Sequence, residues 1–155
     1  MFPIMDPSIK YDASIRTLQQ AMYDGLLKYV GNPPQAVPWL AESWDVSDDK
    51  MTYTFNLVKG AKFHNGDPVT AEAVRWSFAR TLKLGQGPSW MLDAFLKAEN
   101  IKAVDETTLV MTLDRPYAPF LSFLPWWFVM NPEQVMANEV DGDMGQKWLI
   151  DNEAG

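Results

Sequence analysis

With one histidine and no cysteine, this chain has little scope for imidazole or thiol chemistry. Without a thiol there is no thiolate nucleophile, disulfide or Cys-based metal site. His64 alone cannot build a multi-His metal cage, and it has no evident Ser or Asp partner for acid–base work. It lies in His64-Asn65-Gly66-Asp67-Pro68, where Asn-Gly suits positive φ, so it is expected as a partly exposed turn residue. Glu139, Asp141 and Asp143 alternate around Gly142 but lack the length and closing glutamate of a Ca²⁺ loop. Asp48-Asp49 reads as a turn. There is no Gly-x-Ser-x-Gly and no Gly-rich phosphate loop. No catalytic residue, metal ligand or cofactor site is therefore assigned, and an enzyme is the poorest reading.

The aromatic residues offer more. Trp39, Trp44 and Trp76 occupy amphipathic positions and are expected in the core. Trp90 follows the loop Gly87-Pro88-Ser89, and Trp126 and Trp127 are adjacent, so in a strand one of the pair must face outward. A large apolar ring left in water suggests a binding role. Composition sets the frame for that role. The chain's 155 residues can bury a core, and 47% hydrophobic with 21% charged residues describes a globular protein. A net charge of −7 argues against nucleic acid or an anionic membrane as partner. The longest apolar run, 118–130, is too short for a bilayer and is interrupted by Pro119 and Pro125. Residues 1–6 show neither the basic region nor the apolar core of a secretory leader.

These residues need elements to hold them. Periodicity predicts a helix over 14–24 with Ile15, Leu18, Ala21 and Met22 on one face, capped by Asp12 or Ser14 and closed by Gly25 as the C′ residue. A short strand over 26–30 stops at Gly31-Asn32-Pro33-Pro34, and 37–43 reads as a helical turn burying Trp39 and Leu40. Alternation over 51–58 places Tyr53, Phe55 and Leu57 on one face of a strand antiparallel to 43–47. Thr70 caps a helix reaching about residue 82, with Glu72 in its first turn and Ala73 or Val74, Trp76 or Ser77 and Phe78 buried. A short helix over 89–97 and a hairpin over 100–114 follow, the latter with Leu109, Met111 and Leu113 in phase. Then come a helix over 118–124, a strand over 126–130, a helix opened by Pro132 and a last helix over 144–151. The expectation is one α+β unit over 1–155, with small mixed or antiparallel sheets and short helices.

Several segments, in order, carry a resemblance. They are Met5-Asp6-Pro7; Gln19–Lys28 (QQAMYDGLLK); Leu40-Ala41-Glu42-Ser43-Trp44 with Asp48-Asp49-Lys50 and Tyr53-Thr54-Phe55; Val58–Val74 (VKGAKFHNGDPVTAEAV); and Thr107–Phe120 (TTLVMTLDRPYAPF). Together they resemble the bacterial extracellular solute-binding proteins of family 5, the peptide- and nickel-binding components of ABC importers. Ala73 stands where that family usually has an acidic residue.

The resemblance implies a periplasmic-binding-protein type II-like fold. The chain would be an N-terminal fragment, comprising the start of lobe I and most of its accessory subdomain. Ligand would bind in a cleft closed by a second lobe, so these residues alone are expected to bind no solute with useful affinity. The implied function is capture of a peptide or related small solute outside the membrane and its delivery to ABC permease subunits. The protein would be periplasmic or extracellular and membrane-associated through that complex. A ligand-sensing or chaperone-like periplasmic role on the same scaffold is the alternative. Peptide ranks first among ligands; a metal chelate, an opine or an oligosaccharide also fits the scaffold.

In the nickel-chelate branch, three places approach the ligand. Carried over, they are Tyr11, Trp90 and Trp126 or Trp127. That branch also implies an arginine where this chain has Trp126 and Trp127, and its replacement favours an apolar, aromatic or sugar-like ligand over a carboxylate-rich chelate.

Overall fold

The structure, a computed structural model, describes residues 5–10 and 12–155. Helix α1 (Ala13–Met22) starts at Asp12, whose Oδ1 accepts from the backbone N–H of Ser14 and of Ile15 at 3.1 and 3.2 Å. Its inward face differs from the apolar stripe expected. Ile15 and Gln19 are buried, while Leu18 is 45% exposed and Ala21 is also exposed. Gln19 tolerates burial because its Nε2 donates to the Lys10 carbonyl at 2.8 Å.

Gly25 is not a helix cap; the helix already ends in extended backbone at Tyr23. A Cβ on Gly25 would come within 2.9 Å of the Trp127 carbonyl oxygen, beside its bridge to Phe128. Close approach of two backbones is what requires glycine there.

Strands β1 (Leu27–Val30) and β2 (Gln35–Pro38) form a two-stranded antiparallel ribbon, with Leu27 opposite Pro38 and Val30 opposite Gln35. The helical turn expected over 37–43 is thus replaced by the end of β2 and the start of β3 (Ala41–Val46). Pro38 lacks an N–H, which an edge strand accommodates. Between the strands the Trp39 and Ala41 N–H groups both donate to the Leu26 carbonyl, at 3.2 and 3.0 Å.

A four-stranded antiparallel sheet carries the main core in the order β3-β4-β6-β5, with β4 (Thr52–Leu57), β5 (Leu96–Ala103) and β6 (Thr108–Leu113). Period-two alternation puts Tyr53, Phe55 and Leu57 on the same buried face as Leu109, Met111 and Leu113, with Phe55 opposite Leu109. Helix α2 (Ala71–Leu84) lies on β5 and β6. Thr70 Oγ1 accepts from Ala73 N–H at 3.2 Å, and Gly85 ends the helix at φ 61°. Ala73, Val74, Ser77 and Phe78 are buried as the helical spacing predicts.

Shorter pieces complete the body. Where a helix over 89–97 was expected, a 3₁₀ turn spans Gly87–Met91 and β5 already begins at Leu96. Helix α3 (Phe120–Phe123) runs into a 3₁₀ turn, Leu124–Trp126; the strand expected over 126–130 reduces to one bridge, Phe128 to Gly25. Helix α4 (Pro132–Ala137) opens with proline at N1, and the last expected helix is a 3₁₀ turn, Trp148–Ile150.

One buried ion pair ties distant parts together. Arg80 Nη1 and Nη2 donate to the two Asp6 oxygens at 2.8 and 2.7 Å, both side chains wholly buried, and Arg80 Nε donates to the Met144 carbonyl at 2.8 Å. No helix among the described residues is long and apolar enough to cross a membrane.

Candidate functional site

Two of the sequence's ionisable candidates, His64 and Asp143, prove to be loop fasteners. His64 is exposed; its Nδ1 lies 3.2 Å from Glu153 Oε2 and its N–H donates to the Gly155 carbonyl at 2.7 Å. Asp143 accepts from the N–H groups of Lys147, Gly145 and Val140 at 2.9, 2.9 and 3.1 Å, and those backbone donors hold its carboxyl below the usual range. Asp141 projects into solvent from the same loop. No cluster of three or more metal-capable side chains occurs among the described residues.

The aromatic candidates divide. Trp127 is 1% exposed and meets Phe78 edge-on at 5.2 Å, so it belongs to the core; its Nε1–H finds no acceptor among the described residues. Its neighbour Trp126 is half-buried, so one of the adjacent pair does lie nearer the surface. Trp90 is 56% exposed and meets Phe123 at 6.3 Å. Phe123 continues into a stack, 6.0 Å from Tyr117, which lies 3.7 Å from Phe95 beneath Arg115. The turn 123–126 thus carries the Trp90 group at one end and Trp126 at the other. Tyr11 lies outside the described residues.

A residue that sequence reasoning missed gives the Trp126 end its character. Arg16, from the first turn of α1, lies with its guanidinium carbon 3.5 Å over the Trp126 ring and 5.5 Å from Phe128. Its Nη2 donates to the Pro125 carbonyl at 2.7 Å. The charge that the Leu-Pro segment lacks in sequence therefore arrives from α1. Burial pushes the Arg16 guanidinium down to about 10.

Beside it a cleft of about 190 Å³ is lined by Asp24, Lys28, Tyr29, Trp39, Pro125 and Phe128. Trp39 is 43% exposed, not core; its Nε1 donates to Asp24 Oδ1 at 2.6 Å and Lys28 Nζ stands 3.3 Å over its ring. Tyr29 donates its hydroxyl to the Ser122 carbonyl, fixing β1 to α3. A larger cavity of about 300 Å³, between α1 and the 61–64 turn, holds none of Trp90, Trp126 and Trp127.

A signal for Arg16 did exist in the sequence. A cation in the first helical turn opposes the helix dipole, so another contact must hold it there. What sequence could not show is that this contact lies 110 residues on, at Trp126.

Comparison with known proteins places this arrangement. The profile of the bacterial extracellular solute-binding proteins, family 5 (middle), matches residues 35–149. The probable D,D-dipeptide-binding periplasmic protein DdpA of Escherichia coli K12 is 39% identical over 97% of this chain and 30% of its own length. The nickel-binding periplasmic protein of the same organism is 39% identical over 68% of this chain and 20% of its own. Among solved structures, Listeria monocytogenes OppA bound to peptide superposes with a TM-score of 0.80 at 29% identity, covering 90% of this chain and 30% of that one. The chain spans 30% or less of the length of these relatives. Its fold is that of part of a periplasmic-binding-protein type II domain, α+β with small antiparallel sheets.

Proposed function

The chain belongs to the bacterial extracellular solute-binding proteins of family 5, and from that premise we propose that it forms one wall of a solute-receiving site. The protein captures a peptide or related small solute in the periplasm or outside the cell and hands it to ABC permease subunits. It performs no catalysis.

The observation that carries this reading is the Trp126 turn: a half-buried indole under a guanidinium, whose neighbours Pro125 and Phe128 line a shallow cleft with both charge signs at its rim. Such a surface offers ring faces for stacking and charged groups for orientation, the combination that small-molecule sites use. At about 190 Å³ the cleft is smaller than most ligand pockets, at roughly 300–1,000 Å³. A second surface must therefore close over the solute. Trp90 and Trp126, with Tyr11, are proposed as aromatic contacts; Trp127 supports them from the core.

The test is calorimetric titration of the full-length protein with short peptides, nickel chelates, opines and oligosaccharides. Saturable micromolar binding of peptides, weakened at least tenfold by Trp90→Ala or Trp126→Ala, is the expected result. Unchanged affinity in both variants would remove this turn from the site. Binding only to a non-peptide class would replace the ligand but keep the role.

A further inference from the structure

Among the described residues no carboxylate lies within 4 Å of Arg16, in a chain with 20 acidic residues. Its partners are two ring faces, the carbonyl oxygen of Pro125 and, electrostatically, Tyr29. Three unfavourable circumstances coincide there. The group is half-buried, it lacks a counter-charge, and it occupies the helix end that repels cations. A more comfortable side chain for a purely structural position would be leucine or methionine.

We propose that the Arg16 guanidinium, braced against Trp126, receives a carboxylate of the captured solute. The inference rests on the solute-binding reading above and extends it to the ligand's chemistry: an anionic carboxyl group on an apolar or aromatic stem.

The geometry supports each part. Stacking on Trp126 and the bond to the Pro125 carbonyl fix the plane of the guanidinium, while most of its N–H donors remain unused. A planar fork held rigid by a ring is prepared for two-point contact with a carboxylate, which a lysine could not reproduce. Pro125 and Phe128, which Arg16 touches, also line the cleft, so a carboxylate at Arg16 would place its stem along Phe128 toward Trp39. The Lys28 ammonium over Trp39 offsets the Asp24 carboxylate on the same cleft, which leaves Arg16 beside it as the cation without a counter-charge.

Two measurements on the full-length protein test this. In the first, wild type, Arg16→Gln and Arg16→Lys are purified from the native host and co-purifying solutes are identified by mass spectrometry. The expected solute carries a carboxyl group and is depleted in Arg16→Gln. In the second, alanyl-alanine and its C-terminal amide are titrated into each variant. Arg16→Gln is expected to weaken the acid about 30-fold while moving the amide less than about twofold, as loss of a charge-assisted contact predicts. Arg16→Lys should fall between.

Equal weakening of acid and amide, or undiminished binding of the acid, overturns the proposal; so does a co-purifying solute without a carboxyl group. A non-peptide carboxylate retained by wild type and lost from Arg16→Gln sustains it while refuting peptide as the ligand. A wild type that neither retains nor binds a solute refutes both readings. Circular dichroism and the thermal midpoint confirm that each variant is folded.

Discussion

Arg80 and Arg16 are both taken out of bulk water, yet the molecule treats them in opposite ways. Arg80, on α2, has both Asp6 oxygens and the Met144 carbonyl around it, and no part of either side chain in the pair reaches solvent. Arg16, on α1, has two rings and one carbonyl, and no carboxylate within 4 Å among the described residues. The first arrangement is closed: all three guanidinium nitrogens donate to an oxygen inside the fold. In the second, one donor ends on the Pro125 carbonyl and the others meet no acceptor among the described residues. A buried ion pair is a poor source of net stability compared with an apolar replacement, but breaking one partner is severe. A half-buried cation without a counter-charge gives little stability either way, and its value has to be sought in what it contacts from outside.

The largest expected effect breaks the closed arrangement. Asp6→Ala leaves the Arg80 charge buried without its anion and should lower unfolding free energy by about 3–5 kcal/mol in urea titrations. The double variant Asp6→Leu with Arg80→Met should recover most of that loss, because both charges then leave together. If the double variant is as unstable as the single one, the Met144 contact rather than the ion pair holds this region.

An effect of similar size separates the adjacent tryptophans. Trp127→Ala opens a cavity beside Phe78 and should cost about 3–5 kcal/mol, whereas Trp127→Phe removes a buried N–H that lacks an acceptor and should cost much less. Arg16→Met, by contrast, is expected to change stability by no more than about 1 kcal/mol in either direction, since no buried anion is orphaned. A loss of several kcal/mol there would make Arg16 structural and sharpen the comparison against the ligand reading.

Legibility in the sequence followed the same division. Strands β4 and β6 and helix α2 could be read because alternation, helical spacing and a Thr cap are local signals, and each agreed with its packing. The stretch 35–43 could not be read. Pro34, Pro38 and a Trp-Leu doublet are too short a pattern to show a period, and what makes 35–38 a strand is pairing with β1. Gly25 looked like a cap because the sequence cannot show a second backbone arriving at residue 127. Of the proposed site, the rings Trp90 and Trp126 were nameable from the sequence, but the cation was not. Contacts joining residue 16 to residues 125–128 are set by the tertiary fold. The Asp6–Arg80 pair, 74 residues apart, escaped for the same reason.

The smallest predicted effect concerns a partnered carboxylate at the surface, a weaker version of the closed arrangement at Arg80. Asp67 Oδ2 accepts from Asn131 Nδ2 at 2.7 Å and from Asn65 Nδ2 at 2.6 Å, joining the 64–68 turn to the start of α4. These donors, Asn131 first, hold the Asp67 carboxyl below its usual value. The sign follows from linkage. The folded state favours the ionised form, so the contribution is fully present above the unfolded value near pH 4 and is lost as pH falls through the lower folded value. Asp67→Asn removes that titration, so its stability should fall less steeply than that of wild type below about pH 4, as measured by urea midpoints across the acid range. Because Asp12, Asp49, Asp105 and Asp143 are also held low by hydrogen bonds, most of the acid slope should survive the substitution. An unchanged slope would mean that the contact with Asn131 positions α4 without stabilising it.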